Sequence, residues 1–87
     1  MQNSHYRSTI AELLNDSPIR REDVVKNVRE FLMVGEYSLA FDTLCGWIYE
    51  DDLAISPAYH ARLRKVAGDM DAVELVEDLR ALIAESG

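Results

Sequence analysis

"GEYSLAFDTLCGWIYEDD", Gly35 to Asp52, is the stretch on which the fold turns. Its apolar side chains recur at helical spacing. On a wheel of about 100° per residue, Tyr37, Ala40, Phe41, Leu44, Cys45, Trp47 and Ile48 share an arc of roughly 160°, and Leu39 and Tyr49 fall outside it. A helix this broadly apolar is expected to be the central one, contacted by neighbours on two flanks. Gly35 suits the left-handed position that closes a preceding helix, and only Glu36 separates it from the next apolar residue. Two helices should therefore meet here as an antiparallel hairpin. The stretch ends on Glu50, Asp51 and Asp52, which face the negative end of the helix dipole at a cost of roughly 0.3 kcal/mol each. Their placement needs a reason.

Helical periodicity continues on both sides. Upstream, Val24, Val25, Val28, Phe31 and Leu32 form the stripe of a second helix, for which Ser17 is the expected N-cap and Pro18 the first residue. Before it, Tyr6, Ile10, Leu13 and Leu14 mark a first helix that stops at the turn signal Asn15-Asp16-Ser17-Pro18. Downstream, Leu53-Ala54-Ile55 is expected to fold back onto the core. Ser56 should cap, and Pro57 open, a fourth helix with Tyr59, Leu63, Val66 and Ala67 inside and Gly68 at its close. Asp71 and Glu74 have the spacing of a capping box for a fifth helix. Its stripe is Ala72, Leu75, Val76, Leu79, Leu82 and Ile83, and its outer face is acidic, with Glu74, Glu77, Asp78 and Glu85. No strand pattern competes, so the expected fold is all-α: one compact bundle of about five short helices around the central hairpin of helices two and three.

An 87-residue chain of 9.9 kDa makes one small domain, which buries roughly 60% of its unfolded surface and is only marginally stable. With 48% apolar residues, four Gly and two Pro it is too hydrophobic to be a disordered tail. No apolar run approaches the ~18 residues of a membrane span, and Met1 to Ile10 has neither the basic start nor the apolar core of an export signal. A cytoplasmic protein is expected, with no membrane association. Cys45, the single cysteine, lies on the apolar arc and reads as a buried structural thiol. Nine Lys and Arg against sixteen Asp and Glu give a net charge of −7, which argues against nucleic acid as a partner and favours a basic protein. Acidity also serves solubility alone.

A catalytic or metal site finds little support in the residues. His5 and His60 have no Cys or second His at ligand spacing and read as surface groups. A calcium loop starting at Asp51 would place Leu53 at its third position and Ser56 where the turn glycine belongs, and one starting at Asp69 would place Glu74 there. Gly35, Gly46, Gly68 and Gly87 are too isolated for a phosphate loop. Asp16-Ser17-Pro18 shares two residues with the Asp-Ser-Leu motif of acyl carrier proteins, lacks the Leu and comes too early in the chain. Arg62, Arg64 and Lys65 cluster on helix four, where pairing with the domain's own carboxylates, Glu50 to Asp52 among them, is expected rather than DNA binding. The chain therefore reads as a non-enzymatic protein without a cofactor.

Phe31 to Ser56, FLMVGEYSLAFDTLCGWIYEDDLAIS, resembles the MafI-type immunity proteins of bacterial polymorphic toxin systems. The likeness is carried by Gly35-Glu36-Tyr37, Leu39-Ala40, Leu44-Cys45, Ile48-Tyr49-Glu50 and Ile55-Ser56. It implies a small helical cytoplasmic protein that binds and neutralises a cognate toxin domain, a nuclease in many such systems. Nuclease domains carry cationic clefts, so an acidic inhibitor gains rapid association and charge complementarity. Glu50, Asp51 and Asp52 would then face basic groups of the toxin, beside Trp47 and Tyr49, residue types that anchor interfaces. Glu36 and Asp42 on the same hairpin complete the expected partner-binding set. The rival expectations are an acidic helical adaptor without a toxin partner and a carrier or enzyme with a covalent adduct on Ser17 or measurable turnover; self-association through Leu39 and the fifth helix, as a weak homodimer, is a third.

Overall fold

A computed structural model of the chain describes residues 2–84, with side chains from residue 5 onward. Five α-helices follow one another: α1 Gln2–Asn15, α2 Glu22–Met33, α3 Tyr37–Glu50, α4 Pro57–Ala67 and α5 Val73–Asp78, the last continuing into a 3-10 turn at Leu79–Leu82. The fold is a small all-α bundle, as the periodicity requires. The α2–α3 hairpin is its most closely packed pair, and α3 also contacts α1, α5 and the 3-10 turn. Phe41, Leu44, Cys45 and Ile48 are wholly buried, whereas Leu39 and Tyr49 are exposed, as the wheel predicts. Glu85 of the expected acidic face lies outside the described residues.

Three helix ends close in the same way. At Gly35 (φ 79°) the Glu36 N–H donates to the Phe31 carbonyl at 2.9 Å and the Gly35 N–H to Leu32 at 3.2 Å. These paired bonds define a Schellman motif around a left-handed residue. The same pair recurs at Asp52 (φ 51°), where Leu53 donates to Ile48 at 3.0 Å and Asp52 to Tyr49 at 3.2 Å. It recurs again at Asp71 (φ 54°), with Ala72 to Ala67 at 2.9 Å and Asp71 to Gly68 at 3.4 Å. Asp52 thus occupies its helix end as the residue that reverses the chain, a conformation Asp tolerates better than most non-glycine residues.

Several local expectations are corrected. Ser17 does not cap α2. Its hydroxyl donates back to the Leu14 carbonyl at 2.7 Å and accepts from the Ile19 N–H at 3.3 Å, so it finishes α1 while Ile19 tucks into the core. Helix α2 begins later, with Arg21 at its N-cap and no side-chain cap bond. The Asp71–Glu74 capping box does not form either: Ala72 is the N-cap of α5, and Asp71 is spent on the preceding reversal. Gly68 stays right-handed, with φ −62°, and the chain turns three residues later. Ser56 behaves as expected, its hydroxyl accepting from the Tyr59 N–H at 3.0 Å with Pro57 opening α4.

Long-range bonds tie the bundle. The Tyr59 hydroxyl donates to the Leu13 carbonyl at 2.6 Å, joining α4 to α1. His60 is not a surface group: it is buried, and its Nε2 lies 2.9 Å from the Val76 carbonyl, to which it donates. Ile55 folds back as expected and makes a short parallel bridge with Ile83, donating to Leu82 at 3.1 Å and accepting from Ala84 at 2.8 Å. This two-bond bridge belongs to no strand, and the expectation of an all-helical fold stands.

Candidate functional site: the outer face of α3

Helical spacing decides which α3 side chains can act together. Leu39, Asp42 and Gly46, followed three and four residues on by Tyr49 and Glu50, form one stripe opposite the buried arc. From Leu39 to Glu50 the stripe runs about 16 Å at 1.5 Å per residue. Leu39 and Tyr49 remain 47% and 49% exposed at its two ends, enough to offer apolar contact to another molecule. On one flank Asp42 shares a cleft with Asp71, Val73 and Glu74 at the start of α5, and Val73 is itself 54% exposed. The other flank is the groove between α2 and α3, where Asp23, Lys26 and Glu30 lie beside Trp47.

Charge is unevenly shared along the chain. From Glu30 to Ala61 there is no Lys or Arg, and there is none from Val66 to Leu79. These segments contain all of α3 and α5. The bases belong to α1, α2 and its approach, α4 and the 3-10 turn. Partial desolvation and the neighbouring Asp71 carboxylate together raise the pKa of Asp42 above its usual range, as expected where like charges meet without an intervening base.

The expected partner-binding residues do not all converge. Asp42, Tyr49 and Glu50 share the outer stripe. Glu36 is exposed at the opposite, N-terminal end of α3. Trp47 and Asp51 are engaged within the chain: the Arg21 guanidinium lies 4.7 Å from the Trp47 ring centroid, and its Nε meets the Asp51 carboxylate at 3.1 Å. Stacking and ion pair each contribute at most about 1 kcal/mol at such exposure, yet together they fix the end of α3 against the start of α2. The expected pairing of helix four's bases with Glu50 to Asp52 is therefore corrected. Arg62 instead meets Asp16 at 3.0 Å, and among the described residues Arg64 and Lys65 are within ion-pair distance of no carboxylate.

Sequence reasoning missed Val73 and Glu74 as neighbours of Asp42, because only the fold brings α5 beside α3. It also passed over Gly46. A glycine at mid-helix, at the centre of the exposed stripe, was the signal available.

Other chemistry is scarce. Cys45 is buried, and desolvation, with Asp42 as a lesser cause, pushes its thiol up to about 12, so it is protonated and unreactive near neutrality. Among the described residues no group of three or more His, Cys, Asp or Glu side chains could hold a metal ion. No helix among them is long and apolar enough to cross a membrane. Comparisons of the chain with known protein families, with characterised proteins and with solved structures found no match.

Proposed function

We propose that the chain is a non-enzymatic immunity-type protein that binds a cognate bacterial toxin domain, of the nuclease class, and neutralises it by direct contact. The observation that carries this reading is the segregation of charge: α3 and α5 present carboxylates and exposed apolar groups without a single Lys or Arg. Such a surface attracts a cationic cleft of the kind that holds phosphates, and it repels nucleic acid itself. The resemblance of Phe31 to Ser56 to MafI-type immunity proteins points the same way. The protein acts in the cytoplasm, without a cofactor, as a monomer or weak homodimer until it meets its toxin.

The test begins with the neighbouring genes, where the proposal expects a secreted protein ending in a basic toxin domain. Co-expression with the immunity-type protein should restore growth, and the purified pair should associate far more slowly as ionic strength rises, because steering between opposite charges is screened within about 8 Å at physiological salt. A chain that neither binds nor protects against that domain would refute the proposal.

A second reading, an adaptor docking into an apolar groove, draws on the α2–α3 turn, where Met33 and Val34 are 77% and 72% exposed. Association indifferent to salt and abolished by Met33→Asp would favour it.

A further inference from the structure

Resting on that proposed function, we infer that the toxin domain docks on the outer face of α3 centred on Gly46, bringing a Lys- or Arg-bearing segment close to the helix backbone at that residue.

The inference begins with a residue the fold does not need. Glycine in a helix interior is unfavourable relative to alanine because it surrenders more backbone freedom on folding. Steric demand usually explains such a residue, and here there is none. A Cβ built at Gly46 meets nothing within 4 Å, and its φ is not in the left-handed region. Gly46 joins no turn and approaches no other element. A missing side chain does leave the α3 backbone open on its solvent side, which lets another chain come nearer than any other residue would permit.

The surroundings specify what approaches. Leu39 and Tyr49 stand exposed on either side of Gly46 along the stripe, and Val73 adds a third apolar group across the cleft. Asp42, Glu50 and Glu74 frame them, on segments that contain no Lys or Arg. Small centre, apolar shoulders and acidic rim suit a cationic protein segment. A second copy of this chain would set the same acids against one another, which disfavours self-association through this face.

The experiment measures binding of the purified toxin domain to three single variants, each also unfolded in urea. Gly46→Ala should have a higher urea midpoint than wild type, yet bind roughly tenfold more weakly, because one methyl is forced into a packed contact. Asp42→Lys should slow association at low salt about tenfold, whereas Glu12→Lys, which makes the same change in net charge on α1, should slow it far less. Undiminished binding by Gly46→Ala, or equal slowing by the two lysine variants, would overturn the docking face while leaving the toxin-binding function standing. A lower urea midpoint for Gly46→Ala would show that the fold itself requires the glycine and would also overturn the inference. Failure of the wild-type chain to bind the toxin domain would remove both readings.

Discussion

Replacing Asp52 by glycine should stabilise the domain even though it deletes a charged residue from an acidic surface. Asp52 holds φ 51°, where an L side chain costs roughly 1 to 2 kcal/mol and Asp sits toward the lower end. Glycine removes that cost. It also removes a carboxylate from the negative end of the α3 dipole, a gain of about 0.3 kcal/mol at an exposed site. Against these stands the greater freedom of glycine in the unfolded chain, about 0.4 to 1 kcal/mol. The net expectation is a gain of roughly 0.5 kcal/mol, or about 2 to 4 °C in Tm for a domain of this size. Asp52→Ala keeps the left-handed demand and loses the local polar compensation, so it should cost about 0.5 to 1 kcal/mol. Urea unfolding followed by far-ultraviolet circular dichroism reads the order directly: Gly above Asp, Asp above Ala. An alanine variant as stable as wild type would show that the reversal at Asp52 is not strained, and the explanation of the acidic helix end would fail. Gly35→Ala supplies the mirror case. Its φ is 79° and its Cβ would meet open space, so the expected loss of roughly 1 kcal/mol or more is a backbone effect alone.

Cys45 should give stability a pH dependence on the alkaline side. Its thiol ionises near 9.0 when unfolded and at about 12 when folded, so its contribution is complete below about pH 9 and is lost as pH rises toward 12. Tyr59, raised by burial in the same direction from 10.0, adds to the fall. Urea midpoints measured from pH 8 upward should decline, and the decline should be shallower in Cys45→Ala. Arg21→Ala should cost about 1 kcal/mol and red-shift Trp47 emission as water replaces the guanidinium over the ring, and unchanged emission would place Arg21 elsewhere in solution. Phe41 is wholly buried at the centre of α3, so Phe41→Ala should cost about 3 to 5 kcal/mol. That loss would leave a domain this small largely unfolded at 37 °C, as seen by a flattened thermal transition.

Whatever depends on local periodicity was legible in the sequence, because one helix face must be apolar wherever it is buried. The α3 arc, the Gly35 reversal, the Ser56-Pro57 start of α4 and the return of Ile55 to the core all follow from side chains within a few residues of one another. Ser17-Pro18 and Asp71-x-x-Glu74 failed for a common reason. A short polar side chain can serve the end of one helix or the start of the next, and the spacing alone does not say which. Ser17 bonds back to Leu14, and Asp71 takes the left-handed position behind α4. Gly68 drew the eye because glycine is the usual reversal residue, and aspartate did that work instead. His60 was misread as a surface group, and the Arg21–Asp51 pair was not anticipated, because the partners Val76 and Asp51 are distant in sequence. The candidate face was half visible: Asp42, Tyr49 and Glu50 share a stripe that any wheel shows, whereas the contribution of Val73 and Glu74 required α5 to be set beside α3.

The same region repeatedly departs from what stability alone would choose. Glycine at positions 52 and 71 would relieve left-handed strain, and alanine at position 46 would strengthen the helix that carries the core; each change offers about 0.5 to 1 kcal/mol. A domain of this size holds a net stability of roughly 5 kcal/mol, so such concessions are large. Their distribution is informative. Asp71 adds negative charge beside Asp42 in the α3–α5 cleft, Gly46 leaves a gap on the stripe that carries Asp42, and Asp52 closes α3 next to the Arg21–Asp51 pair. Strain scattered at random would imply only a marginal fold. Strain at Asp71 beside Asp42, with the helix-weakening Gly46 on the same outer stripe, is what binding to a cationic protein would maintain, because the partner restores on contact what the free domain gives up, by an amount that grows with ligand concentration over Kd. Under the proposed function the free domain should accordingly gain thermal stability on saturation with the toxin domain, and the Asp52→Gly, Asp71→Gly and Gly46→Ala triple variant should be more stable alone yet gain less on binding. A triple variant that gains as much as wild type would separate the strain from the function.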